Sequence, residues 1–540
     1  MTEPAEPLPE GLVEALVDSD AYPEDAGARA GVAHVQTHIS HVFLTETRVY
    51  KLRKAVSPVF LDFSRRAVRN EDCVREVRLN RRLAPDVYLG IAPVEPAGAG
   101  FRVGPIGEML RPDREHVVVM RRLADGRDAL ALLARGGLER SHLVAAAERI
   151  AAFHGEQGLG RPAPFTAAAW LERIDRPMRD NLSELSAHAA VRTETLGEAW
   201  RREFAARSGL LEARRVAGLA VDGHGDLHLA HLWFESGPSE PLFVDCIEFS
   251  GDLRRIDAAA DVAFLAMDLT YRGHAALAEI FLGHYAEATD DYDLYRVVDL
   301  YAAYRAAVRA KVAALASDDA AIDSAQRAAA AASCARHVSL AERLLEGGAS
   351  GELILIGGSV GTGKSSVARA LSDRIPAAVI ASDRLRKRRA GLAPEDPASR
   401  GAALYEPDRI EATYRGLLER AEPALAAGRR VVLDATWSAR RHRAGALALA
   451  ARLGVPAWLV HVDCEEVTAE TRVAQRQRHR RDPSDAGPER VAKSRASFEA
   501  PDEWPDPFRL AFSTEAPDWK QRLPALLVRL TGADGRLTGG

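Results

Sequence analysis

Several features that define secreted, membrane-spanning and nucleic-acid-coating proteins are missing from this sequence. Its 540 residues include only four cysteines, scattered without a C-x-x-C pair, which argues against a disulfide framework and a cysteine zinc site. No run reaches the ~18 apolar residues of a membrane-spanning helix. Lysine and arginine total 72 against 77 aspartates and glutamates, so the net charge of -5 gives no basic field to attract nucleic acid or anionic lipid.

What remains is an ordinary globular composition, with 47% hydrophobic and 28% charged residues. A chain this long exceeds what one hydrophobic core supports, so several domains are expected. The N-terminal segment is acidic and proline-rich, unlike the basic-then-apolar pattern of a secretory signal. We therefore expect a cytoplasmic protein with reduced thiols and no membrane contact, whose oligomeric state the sequence leaves open.

A glycine-rich turn at residues 357–366 is the most informative segment of the chain. It follows the apolar run 352–356 and precedes a segment with helical spacing, so the pattern predicts a strand, a turn and a helix. From Gly358 the turn fits the motif G-x-x-x-x-G-K-S, whose glycines let successive N–H groups converge on a phosphate at a helix N-terminus. The predicted nucleotide-binding residues are Gly358, Ser359, Val360, Gly361, Thr362, Gly363, Lys364, Ser365 and Ser366.

The last residues of this turn are expected to act in catalysis. Lys364 is predicted to reach the β- and γ-phosphates, and the Ser365 hydroxyl is predicted to hold Mg²⁺. An ordinary glycine-rich strand–helix turn is the alternative, and the Lys-Ser pair between a strand and a helix argues against it. ATP and Mg²⁺ are therefore the expected cofactors.

The order of apolar runs indicates two folds joined by a short linker. After residue 352, β-type runs alternate with helical segments, which predicts an α/β P-loop domain with a parallel sheet and helices on both faces. Upstream, an Ala-rich helical stretch ends at the glycine cluster 347–351. The expected organisation is a first domain over 1–345, a linker over 346–351 and a P-loop kinase or ATP-binding domain over 352–540.

The first domain contains a second pattern that fits phosphate chemistry. The motif His224-Gly-Asp-Leu-His228 precedes an apolar run at 241–249, predicted as a strand with Asp245 in its middle. This arrangement resembles the catalytic core of aminoglycoside phosphotransferase-like kinases, which implies an α+β protein-kinase-like domain. The resemblance implies that Asp226 is the catalytic base and that Asp245 is a metal ligand.

Upstream residues complete this resemblance. Two β-type runs at 37–44 and 48–52 predict a hairpin, and a helix is predicted over 72–83. The resemblance implies that Lys51 in the hairpin binds the α- and β-phosphates, that Glu76 in the helix orients it, and that the run 117–120 leads to the adenine site. Phosphoryl transfer requires a carboxylate near the acceptor hydroxyl, a second carboxylate for Mg²⁺ and a lysine on the phosphates.

Two positions depart from the kinase pattern. His231 stands where that pattern expects an asparagine as the second metal ligand, and imidazole suits Mg²⁺ poorly. The hairpin has no glycines, so Ser40 and backbone amides would have to cover the phosphates. Two other interpretations stay open, a metallohydrolase centre and histidines that only pack a loop. Both concern the same residues, His224, Asp226, His228 and His231.

Nearly the whole chain fits one resemblance when the two halves are combined. The pattern His-Gly-Asp-Leu-His-x-x-His, followed by Asp-Cys-Ile-Glu-Phe and joined to a C-terminal P-loop domain, resembles the bacterial family of bifunctional aminoglycoside phosphotransferase/ATP-binding proteins. The resemblance implies that His231 is the usual residue of that family. The family name expresses homology and implies no antibiotic substrate.

The second domain carries two aspartates after predicted strands. Residues 351–540 resemble small P-loop kinases such as gluconate kinase, the chloramphenicol phosphotransferases and the zeta toxins. Asp383 is predicted to act as a base toward a substrate hydroxyl or in the outer Mg²⁺ shell, with a helix N-cap as the alternative. Asp434 is predicted to join the Mg²⁺ shell, with a strand-terminal turn aspartate as the alternative.

Basic residues follow in two groups. The run 384–389 fits either an anionic acceptor or a solvated helix face. The second group resembles the lid of nucleotide-kinase-type folds, whose arginines close on the transferred phosphoryl group, and Arg476 and Arg480 are predicted to contact the nucleotide. Its members are Arg472, Arg476, Arg478, Arg480 and Arg481.

The sequence therefore predicts an ATP- and Mg²⁺-dependent phosphotransferase that acts on hydroxyl groups of small molecules and has two ATP-handling sites. Two alternatives stay open. The N-terminal domain could be a non-catalytic ligand sensor that regulates the P-loop domain, or the C-terminal domain could be a polynucleotide-kinase-like enzyme. Nucleic acid binding is not expected, because the net charge is acidic and no aromatic platform accompanies the arginines.

Overall fold

Residues 5–57, 61–98, 100–188, 191–319, 322–347, 351–392, 405–479 and 489–531 are described by the computed structural model. They form two compact units, one of residues 1–173 and 213–261, the other of residues 174–212 and 262–540. The boundaries lie within three helices: α5 (Ala167–Ser186), α6 (Glu194–Val216) and α8 (Ala258–Tyr271). The helices after residue 262 therefore group with the P-loop segment, and the domain boundary at 346–351 stays a prediction.

Among the described residues, the first unit contains ten strands and the helices before residue 262. Its strands are β1 (Ala33–Gln36), β2 (Ser40–Leu44), β3 (Arg48–Arg53), β4 (Tyr88–Ala97), β5 (Gly100–Val103), β6 (His116–Arg121), β7 (Ala220–Asp222), β8 (Leu232–Trp233), β9 (Leu242–Phe243) and β10 (Arg255–Asp257). Its helices are α1 (Leu12–Ala15), α2 (Arg66–Asn80), α3 (Ala129–Ala134), α4 (Arg140–Glu156) and α7 (Gly251–Arg254), beside the parts of α5, α6 and α8 that belong to it.

An antiparallel sheet in the order β1-β2-β3-β6-β4-β5 organises this unit. Side chains alternate along β3, so Tyr50 and Leu52 enter the core cluster on one face, while Lys51 and Arg53 point to the face that carries α2. The predicted hairpin is confirmed, with Val42 opposite Lys51, and so is the predicted kinase-like fold class. The alternation of side chains along β3 thus places Lys51 and Arg53 beside α2.

The strand predicted over 241–249 is wrong, because only Leu242–Phe243 pairs in a ladder, with β8. Asp245 lies beyond it with φ 63°, a left-handed conformation rare for a residue with a Cβ. Its N–H donates to the Tyr88 hydroxyl at 3.0 Å, and the Val244 N–H donates to the His231 carbonyl at 3.0 Å. The apolar run is buried against these groups instead of in a sheet, and the turn aims the Asp245 carboxylate.

The second unit contains the P-loop domain and the helices that group with it. Its remaining helices are α9 (Ala275–Thr289), α10 (Val298–Asp318), α11 (Ser324–Glu346), α12 (Lys364–Ser372), α13 (Ser382–Arg389), α14 (Pro407–Ala426), α15 (Arg440–Leu453), α16 (Glu466–His479), α17 (Glu489–Ala496) and α18 (Leu523–Thr531). Its strands are β11 (Glu352–Gly357), β12 (Ala378–Ala381), β13 (Arg430–Asp434), β14 (Ala457–Asp463) and β15 (Arg509–Ser513).

These five strands form a parallel sheet in the order β12-β13-β11-β14-β15, which confirms the predicted α/β fold. Its central residues are buried with α12 and α18, including Ile354, Val432 and Val460. Asp434 is in register with Ile356 of β11 and with Ala381 of β12. The loops that follow these three strands therefore begin at one edge of the sheet, the position where parallel sheets bind ligands.

No helix in the described ranges combines the length and the apolar character needed to cross a membrane.

Candidate active sites

A lysine held by two carboxylates marks the first site. Lys51 Nζ lies 2.7 Å from Glu76 Oε1 and 2.7 Å from Asp245 Oδ1, and Glu76 is fully buried. Burial disfavours the ammonium, but the charges of Asp245 and Glu76 outweigh it and raise the pKa of Lys51 well above its usual range. The structure thus brings together three residues that the sequence singled out, from β3, α2 and the segment after β9.

Arg53 ties this site together, and sequence reasoning missed it. Its guanidinium donates to Ser40 Oγ at 2.8 Å, to Asp72 Oδ2 at 2.8 Å and to Glu76 Oε2 at 2.6 Å, and it also pairs with Glu248. The side chain is only 2% exposed. Its position two residues after Lys51, on the same face of β3, was the available signal. Arg53 connects the hairpin, α2 and the segment that carries Asp245.

Carboxylates outnumber cations in this buried network, and the excess of negative charge contributes to a raised pKa of Glu248. Burial raises the pKa of Glu248, the Arg53 guanidinium opposes the shift, and the nearby Glu76 and Asp72 add to it, giving a pKa of about 8. The protonated carboxyl of Glu248 therefore fits the folded protein better than the carboxylate does at neutral pH.

Glu248→Gln should remove a pH-dependent loss of stability. With a folded-state pKa of about 8 against the ordinary 4.5, the contribution of Glu248 is full below pH 4.5 and is lost as the pH rises to about 8. The melting temperature of the variant minus that of wild type should therefore rise by about 2–4 °C between pH 6 and pH 9. The exposed Glu108→Gln is the control, and a pH-independent difference for Glu248→Gln would contradict the assignment.

The loop of residues 224–231 places His231 between two aspartates, Asp226 and Asp245. His231 Nδ1 lies 2.9 Å from the Asp226 carbonyl oxygen, which can only accept, so Nδ1 carries the proton. Burial and the neighbouring His228 lower the pKa of His231, which leaves a lone pair on Nε2. That atom lies 3.5 Å from Asp245 Oδ2. Two electron-pair donors facing each other at this distance repel unless a cation lies between them.

The donors around this loop fit a divalent metal. Asp226, His228 and His231 offer ligand atoms that all lie within 4.8 Å of one another, and Asp245 faces His231 from the other side. Burial acts to raise the pKa of Asp226, but His228 and His231 outweigh it and hold that pKa well below its usual range. The Asp226 carboxylate is therefore ionised, as a base or a metal ligand must be.

Asp261 holds the backbone of the same loop. Its carboxylate accepts the His224 N–H at 2.7 Å and the Gly225 N–H at 2.8 Å, and His154 Nε2 lies 3.0 Å away. A Cβ on Gly223 would lie 2.5 Å from Asp261 Oδ2, so only glycine allows this approach. Burial lowers the pKa of His224 to about 4, so its ring is neutral. His224 is thus a packed histidine of the loop, 0% exposed.

The second site is the turn between β11 and α12. Gly358, Gly361 and Gly363 have φ values of 138°, 85° and 87°, which side chains with a Cβ rarely adopt. A Cβ on Gly358 would lie 2.1 Å from the Val462 carbonyl oxygen. Lys364 Nζ donates to the Ser359 carbonyl oxygen at 2.8 Å, so its ammonium lies over the turn. Ser365 and Ser366 are exposed in the first turn of α12.

Neighbouring segments hold this turn in place. The Thr514 hydroxyl donates to the Thr362 carbonyl oxygen at 2.7 Å, and Ser494 Oγ accepts the Val360 N–H at 3.2 Å. Arg472 of the predicted lid donates to Thr514 Oγ1 at 2.9 Å and to its carbonyl oxygen at 2.7 Å. Sequence reasoning missed Thr514 and Ser494, because no local pattern marks them.

The two predicted aspartates lie at the edge where the turn begins. Asp434 ends β13 and is 6% exposed, one strand from Ile356 and the glycine turn. Asp383 lies in the first turn of α13, one strand further along the sheet. The N-cap of α13 is Ala381, so Asp383 does not cap this helix. Its carboxylate pairs with Arg386 at 2.5 Å.

A cationic pair beside Asp383 was not predicted individually. The guanidinium carbons of Arg386 and Arg490 lie 4.7 Å and 4.0 Å from the centroid of the Tyr405 ring, a cation–π arrangement. The lid residues Arg480 and Arg481 lie outside the described residues, as do the side chains of Arg476 and Arg478, and their predicted roles stay predictions.

The chain is an ATP-dependent kinase, with a protein-kinase-like part followed by a P-loop part. The Mycobacterium tuberculosis H37Rv protein named "Uncharacterized protein Rv2004c" is 35% identical over 425 residues, which cover 77% of this chain and 80% of the relative. The chain belongs to the same family as this protein, the bacterial bifunctional aminoglycoside phosphotransferase/ATP-binding proteins.

A family model and two solved structures match parts of the chain. The family model described as an AAA domain matches residues 353–501. A choline/ethanolamine kinase family protein from Mesorhizobium loti is 17% identical and covers 62% of this chain and 99% of its own, with a TM-score of 0.37. A gluconokinase from Sinorhizobium meliloti is 19% identical and covers 33% of this chain and 97% of its own, with a TM-score of 0.24. Likenesses of this strength carry no information about activity.

Proposed function

We propose that this kinase transfers the γ-phosphoryl group of ATP to hydroxyl groups of small molecules at two separate sites. The observation that carries the first site is the contact of Lys51 with both Glu76 and Asp245, at 2.7 Å each, beside Asp226. A purely structural cluster would not require a lysine, an orienting carboxylate, a base and a metal-binding carboxylate together. The glycine turn with Lys364 carries the second site.

In the first site the residues divide the work of phosphoryl transfer. Lys51, oriented by Glu76, binds the α- and β-phosphates and leaves Asp245 free to turn toward a metal when nucleotide enters. The oxygen of the acceptor hydroxyl attacks the γ-phosphorus while Asp226 accepts the hydroxyl proton. The bond between the γ-phosphorus and the ADP oxygen breaks, and ADP leaves. Asp245 and His231 would hold Mg²⁺, which supplies positive charge against the phosphate oxygens.

In the second site the sheet edge provides the equivalent groups on a different scaffold. The backbone N–H groups of residues 358–366 and the ammonium of Lys364 bind the phosphates. Ser365 and Asp434 would hold Mg²⁺, and Asp383 acts as the base toward the acceptor hydroxyl. Arg386, which pairs with Asp383, and Arg490, which shares the Tyr405 ring with it, would bind groups of the acceptor.

A screen for acceptor-dependent ADP release tests this proposal. Aminoglycosides, sugars, sugar acids and nucleosides are added to wild type, to Asp226→Asn and to Lys364→Ala. An acceptor of the first site should stimulate wild type and Lys364→Ala, and an acceptor of the second should stimulate wild type and Asp226→Asn. Nucleotide binding at the first site without stimulation by any compound would favour the sensor alternative. Salt-sensitive retention of oligonucleotides would favour a polynucleotide acceptor.

His231→Asn should change the metal preference of the first site. An amide oxygen suits Mg²⁺ better than an imidazole nitrogen, which suits Mn²⁺ and Zn²⁺. Because changes even at residues that only orient metal ligands typically alter metal affinity by about 10- to 100-fold, the ratio of Mg²⁺- to Mn²⁺-supported turnover should rise on the order of tenfold. Measurement in the Lys364→Ala background isolates the first site, and the exposed His274→Asn is the control. An unchanged ratio would show that His231 binds no metal.

A further inference from the structure

Helix α13, which carries Asp383 and Arg386 of the second site, also contacts helix α9 of the same compact unit. Arg384 Nε pairs with Glu287 Oε1, and Arg388 donates to the Ala288 carbonyl oxygen. Arg384 and Arg388 are four residues apart, so they lie on one face of α13. Two of the five basic residues in the run 384–389 are therefore used in a contact with α9.

Asp290 continues this contact at the end of α9. Its carboxylate accepts two hydrogen bonds from Arg420 of α14, at 2.8 Å and 2.7 Å, and Arg388 Nη1 lies 3.8 Å away. Asp290 has φ 61°, which turns the chain sharply where α9 ends. A bidentate arginine–carboxylate pair fixes direction as well as distance.

A fourth arginine completes the contact. Arg429 Nε lies 2.8 Å from Glu279 Oε1, and Arg429 Nη2 lies 2.5 Å from Asp299 Oδ1. The charges are sorted by segment: the acidic members Glu279, Glu287, Asp290 and Asp299 all belong to residues 275–299, and the basic members Arg384, Arg388, Arg420 and Arg429 all belong to the P-loop domain. A network of this kind holds geometry better than isolated surface pairs do.

We propose that Glu287 and Asp290 are positioning residues for the second site. By holding Arg384 and Arg388 they fix α13, and with it the Asp383 carboxylate and the Arg386 guanidinium. The P-loop kinase is then incomplete without residues 275–299, which belong to the same compact unit. This inference rests on the proposed kinase function of the P-loop site.

A charge-swap experiment on the full-length chain tests the proposal. In the Asp226→Asn background, ATP turnover and its KM for ATP are measured for Glu287→Arg, for Arg384→Glu and for the double variant. Each single variant should lower kcat by about 2- to 30-fold and leave the KM for ATP within about twofold, because the phosphates bind the turn after β11. The double variant restores the ion pair with reversed charges and should recover kcat. Asp293→Arg is the control, because Asp293 pairs locally with Arg296.

Hydrogen exchange of the backbone amides of residues 382–389 tests the contact between α13 and α9 independently of its effect on turnover. Both single variants should exchange faster than wild type in this segment, and the double variant should return toward wild type. Unchanged exchange in the singles would overturn the contact, and faster exchange with unchanged kcat would overturn the positioning role. If turnover in the Asp226→Asn background does not depend on Lys364, the proposed kinase function fails and the positioning role fails with it, while exchange still judges the contact.

Discussion

Lys364→Ala should lower kcat/KM at the second site by about 10²- to 10³-fold, the typical cost of removing one preorganised donor from a developing oxyanion. The ammonium lies over the glycine turn, 2.8 Å from the Ser359 carbonyl oxygen, where the convergent N–H groups are expected to hold the triphosphate. No other lysine follows the turn within α12, so the variant loses the one ammonium that the helix offers. Turnover is measured in the Asp226→Asn background, which silences the first site.

Arg369→Ala is the matched control for this variant. Arg369 is an exposed cation in the same helix, away from the glycine turn. The variant therefore removes one charge and a long side chain without touching the phosphate site. Its kcat/KM should stay within about twofold of the background. Equal losses for Lys364→Ala and Arg369→Ala would mean that the helix as a whole, not the lysine, is being perturbed.

Asp226→Asn should lower kcat at the first site by about 10²- to 10⁴-fold, the usual contribution of a general base. Asparagine keeps the size of the side chain, and the His231 contact to the backbone carbonyl of residue 226 does not depend on the carboxylate. Nucleotide affinity should therefore change little, because Lys51, oriented by Glu76, still binds the phosphates. Turnover is measured in the Lys364→Ala background.

The pH profile gives this prediction a second measurement. Because His228 and His231 hold the pKa of Asp226 well below its usual range against the effect of burial, protonation of Asp226 should not limit turnover down to about pH 5. Asp252→Asn is the control, since Asp252 is an exposed partner of Arg173 in the same unit. A residual first-site activity of more than about one tenth in Asp226→Asn would show that Asp226 is not the base.

Much of the second domain could be predicted from its sequence, because its signals are local. Strands β11 to β15 are short apolar runs bounded by turns, and alternation with helices specifies a parallel sheet. The glycine turn could be assigned because three glycines and one lysine follow the strand at fixed spacing. In the structure all three glycines have φ above zero. The order of the strands and the register of Asp434 come from tertiary packing and had to be observed.

The site of the first domain was harder to predict from the sequence, because its residues come from distant segments of the chain. Lys51 and Asp245 are 194 residues apart in the chain and meet at 2.7 Å. The family resemblance implied that both belong to one site, but neither it nor local patterns implied this contact. The strand predicted around Asp245 failed because an apolar run buried in loop packing has the same composition as a strand. Arg53 was missed because a buried arginine with four partners looks, in sequence, like any strand-end cation.

The basic run 384–389 illustrates what sequence cannot resolve. Arg384 and Arg388 bind residues 287–290, almost 100 positions upstream, Arg386 pairs with Asp383, and Lys387 is only 2% exposed. Helical spacing predicts which of these residues share a face, but not what each face meets. The partners come from tertiary structure, which is why an anionic acceptor and a solvated face were both open.

Isothermal titration calorimetry with the non-hydrolysable analogue AMP-PNP and Mg²⁺ counts the nucleotide sites of the chain. Wild type should bind two equivalents per chain, and Lys364→Ala should bind one, with Arg369→Ala retaining two. One equivalent in wild type, or two in Lys364→Ala with unchanged affinity, would show that the chain does not have the two proposed nucleotide sites.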